Sequence, residues 1–205
     1  MKFRNAYSSS LLALLFLALS TALFAQDELI HRHPAVAGRF YPAKTSELRQ
    51  NIQKLFEAKD ASQQGSTLAV ISPHAAYQYS GDLAALSISQ LDPKKDYERI
   101  FLIGVSHTSN YAGASIYSYG HYQTPLRIAR LDLDFIDQLT QKHSEFSFHP
   151  DVHLNEHSLE VIIPLLQQHL EKDIQLIPIL IGPSASDLEI ASMAEVLGPY
   201  FNEDN

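Results

Sequence analysis

The chain has 205 residues, of which 45% are hydrophobic and 19% charged, with 15 Lys and Arg against 23 Asp and Glu and a net charge of −8. That length and balance suit one folded domain with a real core rather than a disordered chain. No basic run exceeds Lys94-Lys95 and there is no cysteine. This argues against nucleic acid and anionic membrane surfaces as partners, and excludes disulfides, a thiolate nucleophile and sulfur-ligated zinc.

Residues 1–25 predict an export signal. Lys2 and Arg4 form a positive start, Leu11 to Phe24 is apolar apart from Ser20 and Thr21, and small residues up to Ala25 suit cleavage. On this reading the mature protein is periplasmic or extracellular. The alternative is a retained anchor, the one route to a membrane, because the apolar run approaches spanning length. Residues 26–33 read as a polar lead-in in which His31, Arg32 and His33 are a solvated tail. Residues 34–205 read as one domain. A Gly- and Pro-punctuated loop (Ala35–Pro42) leads to a helix starting at Thr45-Ser46-Glu47, with Leu48, Ile52, Leu55 and Phe56 on one face.

The stretch from Leu68 to Gly81 organises the rest of the chain. Its aliphatic first half predicts a buried strand, Pro73 ends it, and His74 emerges at the strand's carboxyl end. A helix is expected from Ser80-Gly81-Asp82 to about Leu91. Ile100–Val105 predicts a second strand, with Ser106-His107 directly after it. Strand, helix, strand predicts a parallel crossover that brings both histidines to one sheet edge, where open α/β sheets bind ligands. Further on, Ala114–Tyr119 predicts a strand, Asp132–His143 an amphipathic helix, Ile174–Ile181 a buried strand and Ser184–Tyr200 a final helix. Asn155 is expected to cap a helix carrying Glu156, His157 and Glu160, in which Pro164 predicts a kink or a short first turn.

Two imidazoles at one edge suit iron, copper, zinc or nickel, and two histidines plus a carboxylate is the non-haem iron arrangement. The plainer alternative is that each histidine hydrogen-bonds loop backbone. Glu156, His157 and Glu160 are candidates for a third ligand, a general acid/base or the orientation of a ligating histidine, with His157 and Glu160 taken as the acid/base pair. Acids at a helix N-terminus explain Glu156 and Glu160 without function, but a histidine there less well. Tyr77 and Tyr79 either line a substrate pocket or pack against the next helix. The remaining histidines, His153 among them, read as surface or structural. Neither Ser72 nor Ser106 sits in a nucleophile elbow.

Six blocks in order resemble Memo-like proteins, the AmmeMemoRadiSam system protein B family. They are Ala37-Gly-Arg-Phe-Tyr-Pro42, Ser72-Pro-His-Ala-Ala-Tyr77 with Ser80-Gly81, Ile103-Gly-Val-Ser-His107, Thr124-Pro-Leu126, Glu156-His-Ser-Leu-Glu160 and Ile177-Pro-Ile-Leu-Ile-Gly182. The resemblance implies a three-layer α/β/α fold with a mixed, largely parallel sheet, similar to class III extradiol dioxygenases. It implies a metal pocket in which His74 and His107 are ligands for Fe(II) or Cu, with zinc as a further candidate, and dioxygenase-like redox chemistry. The alternative on the same scaffold is a non-catalytic protein that binds a small molecule or peptide. Ala76 stands where the family usually has glycine, a change that matters only if the backbone needs positive φ. Relative to the family pattern the domain is expected to be C-terminally incomplete, leaving two protein ligands.

Overall fold

The structure, a computed structural model, describes residues 29–57 and 67–201. The predicted export signal lies outside the described residues. Among the described residues, no helix is long and apolar enough to cross a membrane.

Helices and a mixed, mostly parallel sheet make an α/β fold. In chain order the elements are α1 (Thr45–Glu57), α2 (Tyr77–Ile88), β1 (Ile100–Val105), β2 (Ala114–Ile116), β3 (Tyr122–Gln123) and β4 (Ile128–Ala129). Next come α3 (Leu133–Lys142), β5 (Phe146–Ser147), α4 (Pro150–Leu154), α5 (Ile163–His169), β6 (Leu176–Ile181), α6 (Asp187–Leu197) and a 3₁₀ turn (Gly198–Tyr200). The main sheet runs β1-β6-β2-β5: β1 and β6 are parallel, β6 and β2 antiparallel, β2 and β5 parallel. β3 and β4 form a separate antiparallel pair.

The core lies between β1–β6 and a helical layer of α1, α2 and α5. Leu48 and Ile52, four apart on α1, are fully buried, as are Ile163, Leu165 and Leu166 on α5. β6 is buried along nearly all its length and carries Pro178 at its centre. In β6 the N–H groups of 177 and 179 face β1, so position 178 faces the other side, between the Leu131 bridge at Leu176 and the β2 ladder that starts at Ile179. A proline is tolerated where the ladder has this gap. The helix expected to start at Asn155 and carry Glu156, His157 and Glu160 does not form there. Asn155 ends α4, residues 156–162 are coil and turn in which the Glu156 carboxylate takes the His157 and Ser158 N–H groups, and α5 starts at Ile163 with Pro164 in its first turn.

The expected strand at Leu68–Ser72 is absent. The segment is extended coil, with Leu68 52% and Ile71 98% exposed, and β1 takes β6 rather than this segment as its parallel neighbour. An aliphatic run makes a strand only where a ladder partner and cover on both faces exist, and among the described residues this run has neither. α2 begins at Tyr77, three residues earlier than expected, because the Tyr77 N–H is already taken by the Phe40 carbonyl. Ala76 has φ −57°, so alanine costs nothing at the position usually held by glycine.

Candidate metal centre

Three histidines converge. His74 comes from the coil that precedes α2, His107 from just past the end of β1, and His157 from the turn between α4 and α5. One ligating nitrogen of each lies within 4.8 Å of those of the other two. His74 Nε2 and His107 Nε2 are 3.4 Å apart, and the His107 and His157 ring centroids 4.7 Å apart. The predicted meeting of His74 and His107 is therefore present even though the first strand is not.

The loops that carry these rings are fixed by close backbone approach. Gly104 in β1 packs so tightly that a Cβ there would lie 2.8 Å from Leu159 Cδ2 and 2.9 Å from Ser158 Oγ. Ser158 Oγ also donates to the Val105 carbonyl, tying the His157 turn to the end of β1. Glu156 completes the tie. Its carboxylate accepts from the His107 N–H and, at 3.0 Å, faces His107 Nδ1, and it also accepts from the His157 and Ser158 N–H groups. Burial works to raise the Glu156 pKa, but the His107 and Ser158 amides, the His107 ring and the His157 amide outweigh it and bring it down to about 2. An ionised Glu156 holding His107 Nδ1–H leaves Nε2 for an ion, the usual support of a ligating imidazole.

Burial, reinforced by the neighbouring imidazoles, holds the pKa of His74 and of His157 below the ordinary histidine value. At neutral pH both rings are neutral, the form that ligates metals. The donor set fits a transition-metal ion: two nitrogens each about 2.1 Å from one tetrahedral ion would stand roughly 3.4 Å apart. Instead of two histidines and a carboxylate, the structure offers three imidazoles with the carboxylate behind one of them.

Glu160 lies apart from the cluster, 1% exposed. Its carboxylate pairs with Arg32 and accepts from Tyr41 Oη and the Ala35 and Val36 N–H groups. Tyr77 is buried, with its hydroxyl on the Val161 carbonyl and its ring against Tyr41. Tyr79 is 79% exposed. Neither tyrosine is drawn into the histidine cluster.

Arg32 is not a solvated tail residue. It is 1% exposed, paired with Glu160, donating to the His153 and Glu156 carbonyls, and it lies over the Tyr122 ring at 4.8 Å. A bridge between Arg32 and Tyr122 at the edge of β3 carries it there. His153 is fully buried between Ser115 Oγ and Tyr122 Oη, and burial followed by the Arg32 charge lowers its pKa to about 3. No local pattern marks these two residues, because their partners are over 30 to over 120 positions away.

Comparison with known proteins places the chain in a family. A MEMO1 family protein of Methanopyrus kandleri is 32% identical over 158 residues, 73% of this chain and 56% of the relative. One from Desulfurococcus amylolyticus is 34% identical over 167 residues, 77% of this chain and 59% of the relative. A third, from Saccharolobus solfataricus, is 29% identical over 188 residues, 85% and 66%. The chain thus spans about three fifths of the length of the curated relatives it matches. The family model described as Memo-like protein matches residues 32–205, from the buried Arg32 through all three histidines, and the chain belongs to the Memo-like protein family.

Proposed function

We propose that His74, His107 and His157 hold one transition-metal ion and that the protein is a metal-dependent oxidoreductase acting on a small molecule at the solvent side of the cluster. The observation that carries this reading is the convergence of three imidazole donors within 4.8 Å. Three protein ligands leave a coordination position for water or substrate, as in catalytic rather than structural sites. When bound, iron or copper supplies electron transfer to O₂ or to an oxidisable substrate.

The chain's own residues do the holding. Glu156 fixes the His107 tautomer and pins both the His107 and His157 backbones. Its oxygens are taken up by protein N–H groups, so it has no role as a base for substrate, which favours redox over hydrolytic chemistry. Arg32 and Glu160 hold the turn from below. We further propose that the N-terminal segment exports the protein, which N-terminal sequencing of the mature form tests.

Purified protein loaded separately with Fe(II), Cu(II) and Zn(II) is expected to retain one ion per chain. His74→Ala, His107→Ala and His157→Ala are each expected to lower affinity by at least tenfold, and Glu156→Gln by about 10- to 100-fold. Unchanged metal content in all four variants overturns the site. Oxygen uptake or copper reduction with phenolic substrates tests the redox assignment, and its absence in metal-loaded protein favours a binding role.

A further inference from the structure

Two histidines outside the cluster, His31 and His121, are stacked on each other, with ring centroids 5.3 Å apart and an interplanar angle of 16°. His31 Nδ1 accepts the His121 N–H at 3.2 Å, and His121 Nδ1 accepts the Leu131 N–H at 3.1 Å. A backbone N–H can only donate, so both Nδ1 atoms present a lone pair and both rings are neutral with their hydrogen on Nε2. In that tautomer Nε2 has no lone pair to give an ion, so the pair is not a second metal site. Each ring stands in for a carbonyl acceptor instead.

The stack joins three stretches of chain. Residues 30–32 run beside 119–123 through the Ile30 N–H on the Tyr119 carbonyl, the Arg32 N–H on the His121 carbonyl and the Gln123 N–H on the Arg32 carbonyl. Gly120 permits this approach, since a Cβ there would lie 2.7 Å from the Ile30 carbonyl oxygen and 3.1 Å from His31 Nδ1. Leu131 in turn bridges to Leu176 at the start of β6. Arg32, next to His31, reaches inward to Glu160 and the Glu156 carbonyl.

The neighbouring groups give a proton on this stack no counter-ion. Burial, then His31 and Arg130, hold the His121 pKa below the ordinary histidine value. Asp132, beside Leu131, is turned to the Phe135 N–H and Arg99, Asp173 faces Arg127, and Glu160 is taken by Arg32. The Tyr117 hydroxyl donates to the Ile30 carbonyl, and His33 is exposed.

We propose that His31 and His121 form an acid-sensitive latch, which holds residues 29–32 against β3 at neutral pH and releases them in mild acid. A proton on either Nδ1 turns an acceptor into a second donor facing a backbone N–H, and protons on both put two like charges in one stack. A ring that is neutral when latched favours the closed form above about pH 6.5, and opening grows about tenfold per pH unit below it for each ring. Release frees the segment that positions Arg32, so it reaches the turn between α4 and α5. The latch does not depend on the metal assignment.

The test uses metal-free protein. Amide hydrogen exchange at Arg32, His121 and Leu131, divided by the chemical exchange rate at each pH, is expected to speed up at least tenfold from pH 7.5 to 5.5. At pH 5.5 these amides are expected to exchange at least tenfold faster than those of Leu166 and Ile179, which open only with the whole fold. Imidazole nitrogen shifts of His31 and His121 are expected to show the Nε2–H tautomer at pH 7.5 and protonation over the range in which exchange accelerates. The double variant His31→Gln, His121→Gln keeps an acceptor that does not titrate and is expected to abolish the acceleration. Circular dichroism checks its fold, and the nitrogen shifts and exchange of the unmodified protein decide the matter if it fails to fold. An Nδ1–H tautomer at pH 7.5, rings that charge while the three amides stay protected, exchange no faster than in the core, or acceleration that persists in the folded double variant overturns the proposal.

Discussion

Two polar clusters lie one beneath the other and are treated in opposite ways. Below, Arg32, Glu160, Tyr41, Tyr122, Ser115 and His153 are buried and every charged or ring atom has a partner. Above, His74, His107 and His157 remain partly exposed and turn ring nitrogens toward one another rather than toward donors of the fold. Glu156 joins them, with its side chain on His107 and its carbonyl on Arg32. A satisfied network under an unsatisfied one is how a fold holds reactive groups in place at low cost to its stability.

The contrast breaks most visibly from below. Arg32→Ala leaves the Glu160 carboxyl buried without its cation, beside three remaining donors, and removing one partner of a buried pair costs about 3–5 kcal/mol. Urea unfolding is expected to show a loss of that size; a loss under 1 kcal/mol would mean that the pair is solvated in solution.

Acid tests the same layer more gently. His153 titrates near pH 6.5 when unfolded and at about 3 when folded. Between those values the unfolded chain binds the extra proton, so stability falls as pH drops, by up to about 1.4 kcal/mol per pH unit for this one group. His74 and His157, also lowered, add slope of the same sign. Unfolding measured at pH 7.5, 6.5 and 5.5 is expected to show the decline, and His153→Gln to flatten part of it. A wild-type profile flat across this range would place a freely titrating His153 in solution.

The smallest effect is expected above. Because His74 is partly exposed and carries no structural hydrogen bond beyond its contact with His107, His74→Ala is expected to change metal-free stability by no more than about 0.5 kcal/mol. Thermal melting of the apo variant checks this. A destabilisation of 2 kcal/mol or more would make His74 a structural residue.

Local features were legible in the sequence, and long-range ones were not. Helices α1, α3 and α6 announce themselves by periodicity and caps: Asp132 accepts from the Phe135 N–H, and Ser186 with Glu189 forms a capping box. His74 and His107 stand out because each comes just after an aliphatic run. Leu68–Ser72 misleads for the same reason, since composition signals a strand but only a neighbour can make one. His157 is legible as odd, a histidine between two acids, but its company with the other two rings depends on Gly104 admitting the Ser158 turn. Arg32 and His153 could not be read at all, since a buried guanidinium is indistinguishable in sequence from a surface one until its distant acceptors are known.

The missing ladder at residues 67–72 also bears on which ions the centre accepts. Two of the three imidazoles sit on anchored turns, whereas the third hangs from coil whose tie among the described residues is the Ser87 hydroxyl on the Ile71 carbonyl. On the proposed metal-binding reading, differences in ionic radius would be taken up mainly at His74, because the His107 and His157 turns are tied to each other through Ser158 and Glu156. On that reading, the stiffness of the coil leading to His74 would weigh on the choice among metals alongside the three imidazole ligands.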